Sequence, residues 1–355
     1  MVAIQNLLLF PQHLIAWETM SDNAEPNRFV LRRLVPPTEH DKSLWALKSN
    51  VYWMRALAIL VADNGFSQLE LDATYSSVAR RKPDRGAASN DAVDNKALEA
   101  LLMALHYQAG LREFAEHSDL DPFVVSRSAI VSWYYVIYEA SIAMVNAHAE
   151  ENIQKHSQLI RAWHSNILKR SPSQAVWPFS PHLDTLVKID TDRALQKYRC
   201  GNSFALTKLA TDVDEARGAI IAYLSGTATR DRKKVEERLK TEHGFRDFRS
   251  GDARRVRDKA LKRKKVNFVD QAFRYRGKAN YRDSVYLSYG ADEVHLVANQ
   301  SDLDTMRVYI QDLETVGAAY LRMASTYVGR RVVAKSWDDF MGDLEENSRL
   351  GTPWL

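Results

Sequence analysis

The chain has 355 residues, 45% of them hydrophobic and 26% charged, with a single cysteine, Cys200. That is an ordinary globular composition, long enough for a sizeable core and for two domains or one enlarged one. One thiol excludes a disulfide framework and any cysteine-built zinc site. The formal net charge of +4 is unevenly spread: residues 230–265 hold 16 Lys or Arg against 7 Asp or Glu, which leaves the remainder net acidic.

A basic stretch on an acidic protein is the electrostatic footprint of a phosphate-backbone binder. Glu236, Glu237, Asp252 and Asp258 interleave with its cations, as on a solvated helix face. The run ALKRKK at its end contains no acid and favours binding. The first residues, MVAIQNLLLFPQH, lack the basic region of a secretory signal. The longest apolar stretch, 129–149, is interrupted by Glu139, Asn146 and His148 and reads as a buried core helix. These features predict a cytoplasmic protein with no membrane partner.

In chain order, residues 1–42 contain PQ, EP and VPP and read as loop-rich. Leu44, Leu47, Val51, Met54, Leu57 and Val61 fall at helical spacing. Residues 80–95, polar and holding Pro83 and Gly86, predict an exposed loop. A helix follows over 96–117, then a cap and stop at 119–122. The next helix, 123–149, is apolar on nearly every side and belongs at the centre of a bundle. Its partner spans 152–168, with Leu159, Ile160, Trp163 and Ile167 inward. Prolines break the pattern at 171–181, and weaker helices run over 183–224. The basic stretch is interrupted at Gly244 and at Ser250–Gly251. Two long helical patterns, 268–289 and 303–328, complete the count, and only 293–297 and 331–335 suit short strands. The fold class expected is mostly α, a helical bundle. The terminal WDDFMGDLEE, 337–346, is acidic and amphipathic, suited to docking on the basic stretch, on a partner, or to a plain terminal helix.

Two segments carry a resemblance. Residues 126–168 pair a Tyr-Tyr, Ala-rich helix with a second helix that opens on Lys155, His156 and Ser157. Residues 273–283, FRYRGKANYRD, follow later in the chain. Together and in this order they resemble HEPN-like proteins, whose signature reads Arg-x-Lys-Ala-Asp-Tyr. Here Asn280 stands where Asp is usual. The resemblance implies an N-terminal helical region (1–120), a HEPN-like helical core (121–290) with a helical insertion at about 172–265, and a C-terminal helix with an acidic tail (291–355). It also implies a homodimer and a bacterial stress or phage-defence setting.

Many HEPN-like proteins cleave RNA without a metal, using an Arg and a His a few residues on. There the His moves the ribose 2′-OH proton and the Arg steadies charge on phosphorus. Here Arg276 matches the Arg, but Tyr281 occupies the end of the motif and no His follows. Tyrosine, with an ordinary pKa near 10, is a poor base at neutral pH. The candidate catalytic set is therefore Arg276 with Tyr281, His156 or His243 as proton carrier. Other Arg/His pairs, Arg33 with His40, Arg112 with His117 and Arg238 with His243, are as frequent as composition alone produces. The candidate nucleic-acid contacts are Arg254, Arg255, Arg257, Lys262, Arg263, Lys264, Lys265, Arg274 and Lys278. On a helical wheel Arg276, Asn280 and Asp283 share a face with Val269, Phe273 and Leu287, which predicts a paired polar network there. His156 and His164 lie too far apart along one helix to ligate one ion, so neither a metal site nor a cofactor is expected. Phosphate-loop, dinucleotide-turn, zinc-protease, nucleophile-elbow and kinase motifs are absent. The leading expectation is binding of RNA or another nucleic acid. A metal-independent ribonuclease and a non-enzymatic adaptor for a protein partner are the alternatives.

Overall fold

The computed structural model describes residues 37–63, 66–80, 87–117, 119–148, 153–170, 174–280 and 300–347. The chain divides into a segment Met1–Lys42 and a compact unit Ser43–Leu355 that holds every contact discussed below. Among the described residues it is mostly helical, with eleven α-helices and, in place of strands, one isolated bridge between Leu183 and Val266. In order these are α1 (Pro37–Asp63), α2 (Gln68–Thr74), α3 (Ala87–Glu116), α4 (Pro122–His148) and α5 (His156–Trp163). A single π-helical turn, His164–Leu168, extends α5. Then come α6 (Lys188–Arg199), α7 (Val213–His243), α8 (Gly251–Lys262), α9 (Phe268–Asn280), α10 (Gln300–Arg331) and α11 (Ala334–Asn347).

Helix α4 is the axle of the bundle. Its apolar residues point in every direction, and α3, α5, α9 and α10 pack around it. It is the one helix among the described residues long and apolar enough to cross a membrane, and most of that stretch is buried inside the fold. Trp133 on α4 meets Trp53 of α1 edge-on at 6.0 Å, and Trp53 stacks flat on Tyr223 of α7 at 4.2 Å. The segment 172–265 therefore docks on the bundle through an aromatic stack. Rings this large dominate core energetics, and offset or edge-on contacts add to their burial.

Side-chain caps start the two helices that carry the basic stretch, and its breaks fall where Gly244 and Ser250 mark them. Asp212 and Ser250 accept the backbone N–H of Glu215 and Ala253 at the starts of α7 and α8. Gly244 closes α7 with φ of +66°, where a side chain is strained.

Elsewhere the boundaries differ from expectation. Helix α1 begins at Pro37, inside the stretch read as loop, because proline in a first turn loses no hydrogen bond. Helix α3 begins at Ala87 rather than near residue 96. Asp94, taken for a solvated loop residue, is fully buried and its carboxylate accepts Val333 N–H at 3.0 Å. Residues 331–335 form no strand: they are the end of α10 and the start of α11, with Val332 N–H donating to the Val328 carbonyl. The expected strand at 293–297 lies outside the described residues. The acidic α11 packs on α3, with the Trp337 ring seated on Gly329 of α10, where a Cβ would come within 2.7 Å.

Candidate functional site

Helix α5, next in the chain, and α9, more than a hundred residues further on, converge on the middle of α4. Tyr134, Tyr135 and Tyr138 come from α4, His156 from the first turn of α5, and Phe273 and Arg276 from α9. The Arg276 guanidinium lies over the rings of Tyr134 (4.9 Å to the centroid), Phe273 (5.5 Å) and Tyr135 (5.9 Å), and its Nη1 donates to the Tyr135 hydroxyl at 3.3 Å. Its Nε is buried without a partner. His156 stacks on Phe273 at 4.8 Å, meets Tyr138 edge-on at 4.7 Å, and holds Nδ1 2.5 Å from the Tyr134 hydroxyl. Tyr107 of α3 stacks on the outer face of this group against Tyr135 at 4.9 Å.

The electrostatics of the group are coupled. Burial and the Arg276 charge both hold the His156 imidazole below its ordinary value, so the ring is neutral at physiological pH. Burial pushes the Tyr134 phenol far above the ordinary tyrosine value, against the pull of Arg276, and keeps it protonated. Glu139, next along α4, is pushed up to about 7 by burial and then by Glu99.

The structure thus brings together two of the sequence-predicted residues, Arg276 and His156, on the shared ring of Tyr134. Tyr281 lies outside the described residues, as do the side chains of Lys278 and Asn280. His243 stands apart in the last turn of α7, exposed and stacked on Phe245 at 5.2 Å. Arg276 bonds a tyrosine hydroxyl and lies over aromatic faces, while Asp283 and the Asn280 side chain, its expected network partners, lie outside the described residues. Tyr135 and Phe273 were legible only as core residues, because nothing in sequence spacing tells which residue sits over which ring.

The basic residues separate into two groups. Arg254, Lys262, Arg263 and Lys264 on and after α8 are exposed and pair with no carboxylate among the described residues, while Lys265 is half-buried. Arg255 pairs with Asp252, and Arg257 with Asp258 at 2.9 Å. Arg274 does not join this surface. It turns inward, donating to Thr227 Oγ1 at 2.7 Å and lying 5.8 Å from the Tyr223 ring.

A second polar cluster lies where the π turn meets the loop before α6. His164, fully buried, holds Nε2 2.9 Å from Asp184, which also accepts from Lys169 Nζ at 2.9 Å. His182 stands edge-on to His164 at 5.2 Å. Burial, with Lys265 and His182 nearby, drives the His164 imidazole down to about 4. No group of three or more His, Cys, Asp or Glu among the described residues could hold a metal ion.

No protein-family model matches the chain, and neither a curated protein nor a solved structure is similar to it.

Proposed function

We propose that this chain is an RNA-binding protein of HEPN-like build that cleaves RNA without a metal at the Arg276–His156 pair. The observation that carries the reading is the convergence of Arg276 and His156, from separate helices, on Tyr134. The mechanism uses the tautomer in which Nδ1–H donates to the Tyr134 oxygen, which leaves the His156 lone pair on Nε2. That nitrogen accepts the ribose 2′-OH proton as the 2′ oxygen attacks phosphorus and the 5′ oxygen leaves, giving a 2′,3′-cyclic phosphate. The imidazolium then returns its proton to the departing 5′ oxygen. Arg276, always charged and backed by aromatic rings, steadies the extra negative charge on the phosphoryl oxygens. The ring nitrogen thus takes the place of the absent motif histidine, from another helix.

The exposed cations at Arg254, Lys262, Arg263 and Lys264 support a second, narrower reading, in which the protein binds RNA and leaves it intact. The implied homodimer and defence setting rest on the resemblance alone.

The deciding experiment incubates end-labelled RNA with purified full-length protein in chelator, read on denaturing and native gels. The expected result is fragments with cyclic phosphate ends, reduced at least about a hundredfold by His156→Ala and by Arg276→Ala. Intact RNA with a native-gel shift overturns cleavage and leaves binding. Intact RNA with no shift overturns both.

A further inference from the structure

The connection between α7 and α8 carries two aromatic rings, Phe245 and Phe248, that are only partly covered by the helices they join. The two helices pack together, and the buried apolar residues of their basic stretch are Val235, Leu239, Ala253 and Leu261. Phe245 and Phe248, in the turn opened by Gly244, stay half-exposed. Phe245 stacks on His243 at 5.2 Å with planes 17° apart, and meets the edge of Phe248 at 6.0 Å. Cations lie over the second ring: Lys240 and Arg257 stand 6.0 and 5.7 Å from the Phe248 centroid. Arg246 and Arg249 flank the rings in the turn and Arg254 lies in the first turn of α8, all three exposed; Arg249 pairs with Asp247 at 3.7 Å, and its backbone N–H donates to the same carboxylate at 2.9 Å.

We propose that this tip, formed by His243, Phe245 and Phe248 with Arg246, Arg249 and Arg254, binds the unpaired bases of single-stranded nucleic acid. The proposal rests on the RNA-binding reading and names its substrate class. Phosphate contacts alone grip paired and unpaired strands alike, because both present a charged backbone. Ring faces gain only from bases that are free of a partner, and every base has such a face. Aromatic rings interleaved with cations at an exposed tip supply both contacts within one strand's reach. Helix α8, with its unpaired cations, continues the backbone track from the tip toward Lys262, Arg263 and Lys264.

The test measures fluorescence anisotropy of full-length protein with a labelled 2′-O-methyl oligouridine of about 12 nucleotides, a length matched to known single-strand sites. The methyl group blocks cleavage, so binding is read alone. A blunt duplex of equal length is the comparison. Wild type is expected to prefer the single strand. Phe245→Ala with Phe248→Ala should weaken single-strand binding about tenfold and leave the duplex unchanged. Phe245→Tyr with Phe248→Tyr keeps the ring faces and should keep the preference, which separates stacking from any loss of fold. Equal affinity for both strands, or single-strand affinity untouched by the alanines, overturns the proposal while RNA binding stands. Binding of neither strand at low salt overturns the RNA-binding reading itself and the proposal with it. Sedimentation with phosphatidylserine vesicles, lost in the alanine variant, would then assign the tip to a membrane surface.

Discussion

The Tyr134 hydroxyl lies 2.5 Å from Nδ1 of His156, joining the middle of α4 to the first turn of α5. A hydrogen bond this short at the inner nitrogen fixes the ring plane and leaves the outer nitrogen as the one that can exchange a proton. Tyr134→Phe keeps the ring beneath Arg276 and deletes only that oxygen. The expected outcome is a fall in RNA cleavage of about tenfold, with stability lowered by about 1 kcal/mol, the net worth of one hydrogen bond. Single-turnover cleavage beside urea unfolding checks it. Cleavage unchanged in a folded variant would remove the dyad from the mechanism.

Arg276 and His156 repel each other electrostatically, which ties the pH profile to the arginine. Cleavage by a neutral imidazole should rise with pH and level off once pH exceeds the His156 value, which lies below the ordinary 6.5. In stability terms the folded value is lower than the unfolded one. As pH falls below 6.5 the unfolded chain takes the proton first, so this contribution to stability is lost on the way down through the folded value. Removing the positive charge in Arg276→Ala should move the His156 midpoint upward and narrow that window. The midpoint is read from the imidazole NMR signal across pH 4 to 8, and a midpoint that stays put or moves down would break the coupling.

Asp270 gives the opposite sign. It begins α9 beside Asp231, and burial followed by that like charge pushes its carboxyl up to about 7. Here the folded chain holds its proton more tightly than the unfolded one. Stability contributed by the protonated form is whole only below the ordinary value of 3.8 and is lost progressively as pH rises to about 7. Asp270→Asn mimics the protonated form at every pH. It should stabilise the protein by about 1–2 kcal/mol at pH 8, a figure kept small for partial exposure to water, and the gain should shrink as pH falls toward 5. Denaturant midpoints at the two pH values test it, and an equal effect at both would place the cause elsewhere.

The helices themselves were legible wherever apolar residues repeat on a stripe. The spacing over 123–149 matched α4 within a residue at either end, because a helix buried on all sides has few polar residues to confuse the pattern. Gly244 and Ser250 marked their breaks for a local steric and hydrogen-bonding reason, visible from one residue at a time. What failed depended on partners far along the chain. Asp94 reads as loop until Val333 supplies the N–H it accepts, and Arg274 reads as a surface cation until Thr227 is placed across from it. The site was half visible. Arg276 and His156 were both candidates in the sequence, but the pairing between them is made by the crossing of α4, α5 and α9, which no spacing rule encodes. The cluster of His164, His182 and Asp184 was missed for the same reason, since a proline-rich loop carries the last two back to the first.

The cations after α8 make a prediction independent of cleavage. Lys262, Arg263 and Lys264 are consecutive, exposed and in no close ion pair among the described residues, whereas Arg255 and Arg257 already spend charge on Asp252 and Asp258. If these three meet phosphates, each releases bound counterions, and the slope of log affinity against log salt counts them at about 0.7 per contact on a single strand. The triple variant Lys262→Glu, Arg263→Glu, Lys264→Glu should therefore weaken RNA binding and flatten that slope by about 2. Reversal of Arg255 and Arg257 should flatten it less, because their carboxylates already offset part of their charge. Anisotropy titrations from low to moderate salt supply the slopes. An unchanged slope in the triple variant would move the RNA-binding face off α8 altogether.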